Sequence, residues 1–161
     1  MLLFHATPTL NNKAVLNVDS IETKYKMFIP SQKTISQNSA DVVIYGHIHH
    51  PYMDKIYNKT LINVGSVGNS FDVIRNKEKD SNILKTTKCC YLIIEGEYGS
   101  KEYTSDISFQ FIKLPYDIQK ELKDENINIE KESYRYELEN GMYRDMTKIN
   151  ENFKKLGIKV E

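Results

Sequence analysis

Short apolar runs, each stopped by a loop carrying Gly, Pro or His, punctuate an otherwise polar chain. Leu2-Leu3-Phe4 runs into His5-Ala6-Thr7-Pro8, and Val42-Val43-Ile44-Tyr45 runs into Gly46-His47-Ile48-His49-His50-Pro51. Apolar and β-branched runs of this length with such boundaries predict buried strands. Residues 53–57 and 60–64 predict two more strands, joined at Asn58-Lys59. A helix is expected after Asp19 as N-cap, with Ile21, Tyr25 and Phe28 spaced i, i+4, i+7 along its apolar side and Pro30 limiting it. Residues 34–39 predict a short helical or irregular piece, and the charged stretch 75–88 a solvated excursion. Strands are expected again at 89–95 and at 100–113, where Ile107, Phe109 and Phe111 alternate, with Gly96 and Gly99 at the turn between them.

From Leu114 the pattern becomes helical. Pro115 suits the first turn of a helix carrying Ile118 and Leu122. Tyr134, Leu138 and Met142 repeat at i, i+4, i+8, while Met146, Ile149, Phe153 and Leu156 form a second stripe that Gly157 ends. Charges of both signs cover these segments, as on a solvated helical face. The expected architecture is α+β in a single domain. Residues 1–113 form a β-rich half, and 114–161 a helical tail packed on it. A strand that begins at once at Met1-Leu2-Leu3-Phe4, and already delivers His5, is the pattern of a chain starting inside a larger fold.

Composition excludes several classes. The 161 residues carry 22 Lys+Arg and 22 Asp+Glu, so no overall field draws the chain to nucleic acid or to an anionic membrane. No run approaches the roughly 18 apolar residues of a membrane span. Leu2-Leu3-Phe4 is too short for a signal sequence and lacks a basic lead, so a cytoplasmic location is expected. Cys89 and Cys90 are neighbours on a predicted strand and point to opposite faces, which suits small core residues rather than a disulfide.

Chemistry concentrates in the loops. His47 and His49 stand two apart in a glycine-flanked loop after a buried strand, and imidazole is the commonest side-chain ligand for borderline divalent metals. The residue between them turns the rings apart, so each suits a different ion of a pair. His5, also at the end of a strand, is the third candidate ligand. Asn63-Val64-Gly65-Ser66-Val67-Gly68 forms a second glycine-bearing loop. Its backbone N–H groups, or the Asn63 carbonyl, could face metals or phosphate, which makes Asn63, Gly65 and Ser66 candidate phosphate contacts. His50 is expected at the surface near a substrate.

His5-Ala6-Thr7-Pro8, Gly46-His47-Ile48-His49 and Asn63-Val64-Gly65-Ser66-Val67-Gly68 together resemble the last motifs of the calcineurin-like metallophosphoesterases. The likeness is closest to their small bacterial phosphodiesterase and protein-phosphatase-like branch. There the pattern is His-Gly-Ser/Thr-Pro, Gly-His-Thr-His-x-Pro and Asn-Pro-Gly-Ser-Val-Gly, in the same order. The resemblance implies a two-sheet sandwich flanked by helices, a phosphate-ester substrate, and two divalent ions (Mn, Fe or Zn) that activate water. By motif, His5 and His47 would bind one ion and His49 the other. Ala6, Ile48 and Val64 depart from the pattern. The family's Asp-x-His, Gly-Asp and Gly-Asn-His motifs do not occur in these residues, and Asp41, Asp54 and Asp72 match no ligand position.

The chain therefore reads as the C-terminal half of that domain. Without a bridging carboxylate, two cations a few ångströms apart repel strongly in a site of low dielectric. A single ion on three histidines is conceivable, but His47 and His49 would face different ions. Weak metal binding and near-background activity are expected of the chain alone. The other half could belong to a longer protein of which these residues are a fragment, or a separate polypeptide could supply it, its assembly favoured by an exposed sheet edge. An inactive remnant or regulatory subunit is the alternative.

Overall fold

The computed structural model describes residues 1–76, 81–97, 99–100, 105–123, 129–143, 146–155 and 157. It is a mixed α/β chain with two sheets. The strands are β1 (Leu2–Phe4), β2 (Val42–Tyr45), β3 (Tyr52–Ile56), β4 (Lys59–Asn63), β5 (Ser70–Asn76), β6 (Ser81–Gly96) and β7 (Ile107–Leu114). The helices are α1 (Ile21–Tyr25), α2 (Ile118–Glu121), α3 (Ile129–Asn140) and α4 (Met146–Lys155). The chain divides into two compact units, Met1–Val67 with Cys90–Lys113 and Gly68–Cys89 with Leu114–Glu161.

In the first unit a four-stranded sheet has the order β1-β2-β4-β3. β1 runs parallel to β2, β2 parallel to β4, and β3 antiparallel to β4. β2 and β4 are the inner strands, and their sequences show it: Val43, Ile44, Tyr45, Leu61 and Ile62 are all buried, so neither strand alternates. One face carries Val43, Tyr45 and Leu61 into a core shared with Val15, Met27, Phe28, Ala40, Ile48 and Ile56. β1 lies at the edge, so its burial is one-sided. Leu2 and Phe4 pack against this core while Leu3 stays 66 % exposed, which corrects the expectation of a strand buried throughout.

β3 and β4 form the expected hairpin one residue earlier than predicted. Ile56 pairs with Lys59, leaving Tyr57-Asn58 as a two-residue turn whose first residue has φ 56°. Glycine is the usual residue in such a conformation, so Asn58-Lys59 was the stronger signal in the sequence.

Helix α1 is capped by Ser20, which accepts from Thr23 N at 3.2 Å, and not by Asp19. Asp19 instead closes the preceding turn, accepting from Leu16 N at 2.9 Å. After five residues the helix tightens into a 3₁₀ turn over Lys26–Phe28, and this rotates the inward face. Met27 and Phe28 are buried, but Ile21 and Tyr25 are exposed. Lys24 is buried instead, its Nζ 2.6 Å from Asp54 Oδ2 and 3.0 Å from Asn17 O. Residues 34–39 are irregular, held by Thr34 and Gln37 side chains bonding local carbonyls.

In the second unit β5 pairs antiparallel with the first part of β6, from Ser70 opposite Lys88 to Asn76 opposite Ser81. The charged stretch 75–88 is therefore mostly strand, not excursion. Ladder hydrogen bonds and a partner strand override a polar composition there. β6 continues into the first unit, and β7 follows it in the sheet. Residues 101–104 of the predicted 100–113 strand lie outside the described residues.

Helix α2 starts at Asp117, whose carboxylate accepts from Lys120 N at 3.0 Å, so Pro115 precedes the helix rather than opening it. Met142 falls beyond α3, because Gly141 (φ 63°) ends that helix and Met142 bridges to Lys85. α4 falls where a helix is expected and a left-handed Gly157 comes after it, while Leu156 of the predicted stripe lies outside the described residues. No helix among the described residues is long and apolar enough to cross a membrane.

Removing the Asp54 carboxylate leaves a 6 % exposed ammonium with one carbonyl partner. Asp54→Ala is expected to lower unfolding free energy by about 1–3 kcal/mol, read by urea denaturation; a loss below about 0.5 kcal/mol would refute the pairing's importance.

A second expectation concerns alkali. Tyr45 Oη donates to Val15 O at 2.6 Å and lies against Tyr52 Oη. Burial pushes the Tyr52 phenol up to about 12 and raises Tyr45 as well. A folded pKa above the unfolded value of about 10 means stability is full below that pH and is lost as pH rises through the folded value. Absorbance at the phenolate band should show these two tyrosines ionising only above pH ~10, together with unfolding; early, reversible ionisation of all tyrosines would contradict it.

Candidate functional site

Parallel pairing brings the carboxyl ends of β1, β2 and β4 to one edge of the sheet, where the loops after them meet. The ladders run one step past the strands: Gly46 N donates to His5 O at 2.9 Å, and Val64 N to Tyr45 O at 2.9 Å. His5, the Gly46–His50 loop and Asn63–Gly65 are thus placed by backbone hydrogen bonds rather than by loop chance. In sheets with parallel strands this edge is the usual place for ligands.

The rings of His5 and His47 converge. His47 Nδ1 lies 3.2 Å from His5 Nε2, and the rings are edge-on with centroids 5.0 Å apart. One ring's N–H can donate to the other's lone pair, so the two imidazoles form one unit. The separation also matches the gap of about 2.9–3.4 Å between two nitrogens bound to one ion at ~2.0–2.1 Å.

The loop holding His47 is strained. Ile48 N donates to Gly46 O at 2.9 Å, closing a three-residue turn around His47, whose φ is 71°. That is the positive-φ γ-turn, a rare conformation. His49 follows at φ 57°. Left-handed backbone in residues other than Gly costs roughly 1–2 kcal/mol each. Ile48 offsets part of it: 8 % exposed, it is anchored in the core between the two histidines.

His49 is half-buried with its Nδ1 shielded from solvent. Its ring does not join the other two in a ligand group. Among the described residues no set of three or more His, Cys, Asp or Glu side chains is arranged to hold a metal ion. Asp41 is paired with Lys59 at 3.0 Å and Asp54 with Lys24 at 2.6 Å, while Asp72 sits on β5 in the other unit. The described residues therefore do not by themselves fit a dinuclear centre. What the histidines bring together is one pair of ring nitrogens, His47 Nδ1 and His5 Nε2.

The second loop is turned inward at its start. Asn63 is 0 % exposed; its Oδ1 accepts from Gly65 N at 2.9 Å and its Nδ2 donates to Gly46 O. The N–H groups of Val64 and Gly65 thus donate within the fold. Ser66 O accepts from Cys90 N at 2.8 Å, and the Ser66 side chain is half-buried. His50 stacks on Tyr52, with centroids 6.2 Å apart and planes 24° from parallel. Sequence reasoning did not anticipate the Asn63 bridge. Its trace is the Asn-x-Gly order at the end of a buried strand, which favours an Asn side chain bonding two residues on.

A family model described as the calcineurin-like phosphoesterase superfamily domain matches residues 6–88. The chain belongs to that superfamily. The match covers His47, His49 and the Asn63–Gly68 loop and begins one residue after His5. No curated protein matches the chain.

Gly65 takes φ 77° in a buried position. Gly65→Ala is expected to destabilise the protein by about 1–2 kcal/mol, measured by thermal or urea unfolding. An unchanged midpoint would show that the Asn63–Gly65 turn relaxes freely.

Proposed function

We propose that this chain is the histidine-bearing part of a metal-dependent phosphoesterase, whose acidic ligands come from outside these 161 residues. What supports the reading is the approach of His47 Nδ1 to His5 Nε2 at 3.2 Å, at the carboxyl edge of a sheet belonging to this superfamily. The substrate is a phosphate ester. In the complete fold the two sheets form a sandwich with the helical segment 114–161 against it. His5 and His47 face one divalent ion and His49 a second, while Ser66 and His50 lie on the substrate side. Those ions would be Mn, Fe or Zn.

A separate polypeptide suits the role of supplier. β1 is an edge strand with Leu3 66 % exposed, and His5 stands at its end. A strand added along β1 would bring its own end beside His5. A regulatory or inactive remnant is the second reading, favoured by the lack of Asp-x-His, Gly-Asp and Gly-Asn-His in these residues.

The purified chain, dialysed and then supplied with Mn²⁺, is expected to hold less than stoichiometric metal. It should also hydrolyse aryl phosphate mono- and diesters at background rate. Adding a polypeptide that carries Asp-x-His, Gly-Asp and Gly-Asn-His motifs should raise turnover at least a hundredfold, and His47→Ala should abolish the gain. Stoichiometric dinuclear loading with strong turnover by the chain alone would refute the proposal. No gain with any such polypeptide would select the remnant.

A further inference from the structure

We infer that Asn63 is the positioning residue of this site: its carboxamide, bridging two loops, holds His47 in the orientation that meets His5. The inference rests on His47 being a site residue, but its readouts are geometric and involve no phosphate ester.

The chain of contacts is short. Asn63 ends β4 directly opposite Tyr45, the last residue of β2, and Val64 N donates to Tyr45 O at 2.9 Å. The Asn63 backbone is therefore set by the ladder, and its side chain reaches across to the start of the His47 turn. There Nδ2 donates to Gly46 O, the same carbonyl that accepts from Ile48 N at 2.9 Å. Gly46 O thus has both lone pairs engaged, one by the turn and one by the carboxamide. A carbonyl tied down on both sides leaves the peptide between Gly46 and His47 little freedom to rotate. That peptide determines where a residue at φ 71° aims its ring.

Only a carboxamide meets the demands of the position. The buried site needs an acceptor for Gly65 N, 2.9 Å from Oδ1, and a donor for Gly46 O at once. Aspartate would set a carboxylate oxygen against a carbonyl oxygen. Leucine would orphan Gly65 N and leave Gly46 O with its Ile48 bond alone, and glutamine adds a methylene where exposure is 0 %. The residue has no exposed surface with which to touch a substrate, so its contribution acts through His47.

The test is Asn63→Asp, read at a pH where the new carboxyl is ionised, which keeps an acceptor for Gly65 N and removes the donor to Gly46 O. Two readouts are taken by NMR on the full chain without metal: the cross-peak between the His5 and His47 rings, and amide hydrogen exchange. The expected result is loss of the ring–ring cross-peak and exchange at Ile48 N at least tenfold faster, with the exchange of β2 and β4 amides unchanged. A folded N63D that keeps the cross-peak and the Ile48 protection overturns the proposal. So does a variant in which all β2 and β4 amides lose protection equally, because Asn63 would then be a general support of the sheet. Should N63D fail to fold, Asn63→Ala is read in the same way. If neither folds, the positioning role is likewise overturned.

Discussion

Two parallel ladders, β1 on β2 and β2 on β4, are the constraint from which the rest of the site follows. Because those three strands run the same way, their carboxyl ends share one edge, and the residues just beyond them must meet there. The extra backbone bonds from Gly46 to His5 and from Val64 to Tyr45 carry this order past the strands. An antiparallel arrangement of the same segments would have put His5 and His47 at opposite edges. The buried β-branched and aliphatic residues of β2 and β4 are what hold both strands inside the sheet.

On that frame the His47–His49 loop adopts a conformation its own residues disfavour. Two histidines take positive φ, a state that persists only where neighbours over-determine it. Here the neighbours are Ile48 in the core below and Asn63 alongside. The loop is therefore shaped by groups that never face solvent. Strain of this kind concentrates at functional positions, and here one of the two strained residues, His47, belongs to the imidazole pair.

The acidic side of the site is what these residues lack. Asp41 and Asp54 have cationic partners of their own, and the paired nitrogens of His5 and His47 have no carboxylate beside them in a ligand group among the described residues. The superfamily is shown by the match over residues 6–88, while among the described residues the converging histidines stop at the pair His5 and His47.

Local pattern was enough to read the inner strands, the β3–β4 hairpin, α4 and the strand-end histidines, because each depends on a residue's immediate neighbours: apolar runs, turn residues and helical spacing. The resemblance of three ordered motifs to a family was legible for the same reason. Other features depend on partners distant in the chain, and no local pattern reports them. The buried face of α1 passed to Lys24 because Asp54, thirty positions away, was there to meet it. The stretch 75–88 became mostly strand because residues 81–88 pair with Ser70–Asn76. The approach of His5 to His47, and the tie between Asn63 and Gly46, needed the parallel register of three strands. Which residues are candidates for chemistry was written in the sequence, whereas which of them touch was decided by the sheet that aligns their backbones.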